Sequence, residues 1–121
     1  MELEIIKECF TVCKLREFSK FDFSGNFFFT AKTDDEISLV CPTYAVPINT
    51  LAREDGFRAF RICGILDFSL TGILSRLSGI LAERNIGIFA VSTFNTDYIF
   101  VKAKDLDAAK EALSDQGYLF L

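Results

Sequence analysis

The sequence predicts an α+β fold, and three observations carry the prediction. Leu70, Ile73, Leu74, Leu77, Ile80 and Leu81 recur at helical spacing and form one apolar stripe. Leu106, Ala109, Ala112 and Leu113 make a second such face further on. Between and around them, Phe57 to Cys63, Ile88 to Thr93, Tyr98 to Ala103 and Tyr118 to Leu121 are short runs of apolar and large residues bounded by turn formers. In order, the second half reads strand, helix, strand, strand, helix, strand. That is a ferredoxin-like βαββαβ unit, with both helices on one face of an antiparallel sheet, because each has a single stripe to bury.

Taken from the start, Met1 to Leu15 is strand-like, with Phe10 and Val12 on one side and Thr11 and Cys13 on the other. Arg16 to Ser24 mixes charge with Phe18, Phe21 and Phe23, which fits a short helix or a packed loop. Phe27 to Thr33 and Glu36 to Cys41 form a hairpin about a tight turn at Asp34-Asp35, ended by Pro42 and Pro47. Ile48 to Gly56 is polar and acidic, a connector with at most one helical turn. It divides the chain into residues 1–56 and 57–121. The first part has too little helix to cover two sheet faces, so it is expected to pack on the second. In the second part the long helix spans Leu70 to Arg84, with Ser69 as N-cap and Asp67 as its competitor. Asn85 and Gly87 end it, Phe94 to Asp97 form a hairpin loop, Asp105 caps the second helix and Gly117 closes it.

Composition excludes several classes of function. The 121 residues contain no histidine, so neither Ser-His-Asp nor Cys-His activation of a nucleophile is open, and no histidine metal site. Carboxylate or lysine chemistry would have only a pair such as Asp67 and Lys102 as a foothold. The net charge of −4 argues against nucleic acid as a partner, and Arg53/Arg58/Arg61 and Lys102/Lys104 read as solvated strand edges. Tyr98 and Phe100 alternate with Ile99 and Val101 as an RNA-binding platform would, but the basic, glycine-flanked pattern of such platforms is missing. The four cysteines show no Cys-x-x-Cys spacing and read as buried reduced thiols. No apolar run is long enough to span a bilayer, and the N-terminus lacks a signal-peptide pattern. A soluble cytoplasmic protein without metal or cofactor is expected.

The candidate site is the turn from Gly64 to Ile73. A helix start offers unpaired N–H groups and partial positive charge, which suits a bound carboxylate. Asp67, Ser69 and Gly72 have two readings here: helix capping and close packing, or contact with a ligand. The hairpin loop likewise has two, because Asn95 and Asp97 are turn formers, while Asp97 beside Phe94 could also pair with an ammonium or guanidinium group. With the Thr93 hydroxyl for orientation, the three kinds of group would complete a zwitterion site.

The segment GILDFSLTGILSRLSGILAERNIGIFAVSTFNTDYIFVK resembles the ACT domain, a regulatory amino-acid-binding module. The whole chain resembles stand-alone bacterial proteins with tandem ACT-like units, FFFTAKTDDEISLVCP matching their shorter N-terminal unit. The hairpin STFNTDYIFV is similar to segments of the aspartate kinase regulatory domain and of the cytosolic arginine sensors. The resemblance implies a non-enzymatic sensor that binds a free amino acid at an interface between units. It further implies a homodimer and signalling through association with a regulated protein partner. Carried over residue by residue, the ligand would be lined by Asp67, Phe68, Ser69, Leu70, Thr71 and Gly72 on one wall. Thr93, Phe94 and Asp97 would form the other, with Asp97 in the place of a ligand-contacting acid of the arginine sensors. The other reading is an interaction or dimerisation module with a vestigial site.

Overall fold

Residues 1–67 and 70–121 are described by a computed structural model. The strands are β1 (Glu2–Leu15), β2 (Phe29–Lys32), β3 (Ile37–Pro42), β4 (Thr50–Ile62), β5 (Ile88–Ser92), β6 (Asp97–Lys102) and β7 (Leu119–Phe120). The helices are α1 (Ile73–Glu83) and α2 (Leu106–Asp115). The chain forms two units, one of Glu8–Phe57 and one of Met1–Lys7 with Arg58–Leu121.

In the unit Glu8–Phe57, β3 pairs antiparallel with β1, setting Thr11 opposite Cys41 and Leu15 opposite Ile37. Strand β2 pairs with β3 across the expected tight turn, where the Thr33 hydroxyl accepts the N–H groups of Asp35 and Glu36. Cys13, Leu15, Phe21, Leu39 and Cys41 make the core. The stretch before β2 is the packed loop, not the helix: Phe21, Phe23 and Phe28 meet edge to face at centroid distances of 4.9, 5.3 and 5.4 Å. Such rings favour this geometry and bury area without a regular backbone. Burial pushes the Cys41 thiol up to about 12, helped by nearby Cys13, and raises Cys13 as well. Both stay protonated and packed as small apolar groups. Cys9 departs from expectation and is exposed, and Cys63 is half-buried.

The connector expected over Ile48 to Gly56 is instead the first half of a 13-residue strand, β4. Its polarity marks a solvated face. Arg53 and Asp55, two apart and so on one side of the strand, form a 2.8 Å ion pair, and the Thr11 hydroxyl of β1 donates to the same Asp55 carboxylate. A polar strand bonded this way to its neighbour needs no apolar alternation.

The other unit has the strand order β7-β1-β4-β6-β5. Glu2 lies opposite Leu119 in a parallel pairing with β7, and the Glu2 carbonyl accepts the Cys63 N–H at 2.9 Å. The ferredoxin-like order is therefore present with one strand added: the first residues of the chain lie between its first and last strands. Both helices cover one face, since Leu77 and Leu81 of α1 and Leu106, Ala109, Ala112 and Leu113 of α2 share a core with Phe60, Ile62, Ile99 and Val101. On β6, Phe100 is 0% exposed and stacks on Phe89 at 4.5 Å, so it offers no platform for a base. Tyr98 instead takes a hydrogen bond from Arg61.

Helix α1 begins later than periodicity suggests. Its N-cap position is Gly72, whose φ of 79° lies in the left-handed region. A Cβ there would meet nothing within 4 Å, so backbone conformation and not close packing explains the glycine. Ser69, the expected cap, and Phe68 lie outside the described residues. Asn85 (φ 58°) follows α1 and Gly117 (φ 93°) follows α2, as their helix-ending chemistry predicts. Asp105 occupies the N-cap position of α2 but makes no side-chain capping bond. Among the described residues, no helix is long and apolar enough to cross a membrane.

Candidate functional site

Strands β5 and β6 are in register from Ile88 opposite Val101 to Ser92 opposite Asp97, which leaves Thr93 to Thr96 as the loop. The loop is closed twice by its own threonine: the Thr93 N–H and hydroxyl both donate to the Thr96 carbonyl, at 2.8 and 3.0 Å. Thr96 is 7% exposed, and its hydroxyl donates to the Ile62 carbonyl at 2.7 Å, fastening the loop to the end of β4. The Leu66 N–H donates to the Asn95 carbonyl at 2.7 Å, so the turn after β4 is tied to the same loop. Two stretches some thirty residues apart are thus held side by side by one backbone bond and one from a threonine hydroxyl.

Between them lies a cavity of about 270 Å³. Of the nine residues expected at the site, Asp67, Leu70, Gly72, Thr93, Phe94 and Asp97 line it. Thr71 does not: it faces a separate hollow with Met1, Arg76 and Tyr118. Phe68 and Ser69 lie outside the described residues. Leu66, Ser92, Asn95 and Thr96 also line the cavity and were not singled out as ligand contacts. Ser92 announces itself only through register, as the partner of Asp97, and Thr96 only through a tertiary bond. Neither carries a signal in the sequence.

The electrostatics are lopsided. The lining includes the carboxylates of Asp67 and Asp97 and no lysine or arginine. The positive element is the start of α1, where Ile73, Leu74 and Ser75 line the cavity and the first helical bond is the one from the Arg76 N–H to the Gly72 carbonyl at 2.9 Å. The amides before Arg76 have no partner within the helix. The Ser92 hydroxyl donates to Asp97 Oδ1 at 2.6 Å and fixes that carboxylate, whose remaining lone pairs can still accept. Helix-start residues and two carboxylates therefore border one space. Lys102, the imagined partner of Asp67 in an acid–base pair, is not in the lining. Among the described residues no three cysteine or acidic side chains cluster to hold a metal. Two of the arginines are ion-paired, Arg53 with Asp55 and Arg61 with Glu4 at 2.7 Å, and Arg58 donates to the Ile6 carbonyl.

The sequence profile of the ACT domain matches residues 52–115, and the chain belongs to that family. A protein of known structure from Agrobacterium tumefaciens is similar to it at 31% identity and a TM-score of 0.87, over 99% of this chain and 91% of that one. The regulatory subunit of aspartate kinase from Thermus thermophilus, in a ligand-free form, gives a TM-score of 0.56 at 9% identity, over 89% of this chain and 92% of that one. Aspartate kinase from Clostridium acetobutylicum, described as an allosteric enzyme, gives 0.63 at 13% identity, over 89% of this chain and 32% of the enzyme. At such identities the two kinase structures show a shared fold and nothing more. No curated protein sequence matches the chain.

Proposed function

We propose that this chain is a non-enzymatic regulatory module that binds a free amino acid in the cavity between the α1 start and the β5–β6 loop. The observation that carries the reading is the meeting of helix-start amides with Asp67 and Asp97 around one space of about 270 Å³. That volume is just under the roughly 300–1,000 Å³ of sites for drug-sized ligands, which suits a single amino acid. The α-carboxylate goes to the amides of Ile73 to Ser75 and the ammonium to Asp97, with Asp67 close by. Membership of the ACT family supports this assignment, as do aspartate kinase regulatory structures with the same fold.

The output is a change in association, in a homodimer and with a regulated protein partner. Ile65, Leu70 and Phe94 are 78%, 54% and 81% exposed beside this site, large apolar side chains that gain by being covered. A cytoplasmic setting fits such a sensor. The competing reading, a dimerisation module without a ligand, draws on the same exposed residues and on β5, an edge strand with no charge in Ile88–Ser92.

A thermal-shift screen of the twenty amino acids separates the two. At a hundredfold excess over Kd, a ligand that binds only the folded chain adds about 2.7 kcal/mol of stability, enough to raise Tm by several degrees. One or a few amino acids should do so, and Asp97→Ala should abolish the shift while leaving the unliganded melting temperature within a degree or two. No shift with any amino acid at millimolar concentration would refute the assignment.

A further inference from the structure

We propose that the ligand of the cavity is a basic amino acid, with its side-chain ammonium or guanidinium group held by Asp67 while Asp97 takes the α-ammonium. The inference rests on the amino-acid reading of this site and adds the class of side chain. Charge decides it first. Asp67 and Asp97 both border the cavity, and among the described residues no lysine or arginine does. An amino acid with a neutral side chain brings one cation to two carboxylates, so the second faces only the ligand's own α-carboxylate. A basic amino acid brings a cation for each. An acidic one sets like charges together with no basic side chain between them.

Placement and surface agree with charge. Asp97 opens β6, where the Ser92 hydroxyl fixes its Oδ1 at 2.6 Å. Asp67 belongs to the turn after β4, which the bond from the Leu66 N–H to the Asn95 carbonyl ties to the same hairpin loop at 2.7 Å. The two acids thus come from different elements held in fixed relation, as suits two cations joined by a stem. Leu66, Leu70, Leu74 and Phe94 line the same space, and Leu70 and Phe94 are exposed. An aliphatic stem of roughly three or four methylenes covers such surface while its charged end stays with an acid. A short polar side chain would cover none of it.

The test is a calorimetric titration of the full chain at neutral pH and constant ionic strength. Its probes are lysine against norleucine, which lacks the side-chain ammonium, and arginine against citrulline, whose urea group is neutral. Lysine or arginine should bind saturably, with its neutral counterpart and glutamate weaker by roughly tenfold or more. Asp67→Asn should bring lysine down to the level of norleucine and leave norleucine unchanged, whereas Asp97→Ala should abolish both. Norleucine or citrulline binding as tightly as its charged counterpart would overturn the inference and leave the amino-acid site standing. Undiminished selectivity in Asp67→Asn would likewise overturn it. Cadaverine, which is lysine without its carboxylate, should bind poorly. If it equals lysine, or if no amino acid binds at all, the amino-acid reading falls and takes this inference with it.

Discussion

Asp55 shows how a charged side chain can be fastened to a distant part of the chain. The Thr11 hydroxyl, then the Arg53 guanidinium, hold its carboxyl below the usual carboxylate range. A depressed acid favours the fold above its unfolded pKa of about 3.9, and that contribution disappears as pH falls through the lower folded value. Replacing Asp55 by Asn should therefore lower the urea midpoint at pH 7, with the gap to wild type narrowing below about pH 4. Equal gaps at pH 7 and pH 3 would mean that the charge is idle. The residue also explains a misreading of the chain. Arg53-Glu54-Asp55-Gly56 looks like a linker by composition, yet it belongs to a strand paired with β1, and its carboxylate is held by a threonine 44 positions away. Thr71 and Gly72 make the same point differently. Adjacent in sequence, they share one hollow, but only Gly72 also reaches the main cavity, because its left-handed backbone breaks any periodicity that would place them.

Among the elements, α1 was legible in its body and not in its start. Leu77 and Leu81 are fully buried, as the 3.6-residue stripe requires, whereas Leu70, counted on that stripe, precedes the helix and is 54% exposed. Hydrophobic spacing cannot see a cap made by backbone conformation. Gly72→Ala should cost about 1–2 kcal/mol in chemical denaturation, the penalty for a side chain in the left-handed region. Because the same residue aims the first helical amides at the cavity, it should also weaken amino-acid binding. A variant with undiminished stability would show that the turn can relax to another conformation. The β5–β6 hairpin was read correctly to within a residue at each end, since alternating apolar residues about Asn95 and Asp97 leave few other registers.

At the scale of the molecule, both helices, their shared face and the strand order were foreseeable, because each helix has one stripe and each strand a clear turn on either side. The place of the first strand was not. Nothing in Glu2 to Lys7 says that it will sit between β7 and β4. A chain beginning at residue 52, where the family match starts, keeps the matched segment but loses Leu3, a fully buried member of the core. Such a chain should lack a cooperative melting transition, and adding a peptide of residues 1–15 in trans should restore part of it. A fragment from residue 52 that melts as sharply as the whole chain would contradict this.

Because Glu2 and Leu3 pair with Leu119 and Phe120, the clasp of this unit closes only once residues 119 and 120 have been made. Until then Leu3 and Ile6 travel with the nascent chain as an unsheltered apolar ribbon, a target for chaperones at the ribosome exit. For the same reason residues 1–3 and 119–121 lie side by side. Joining them through a short linker and reopening the chain elsewhere should preserve the fold.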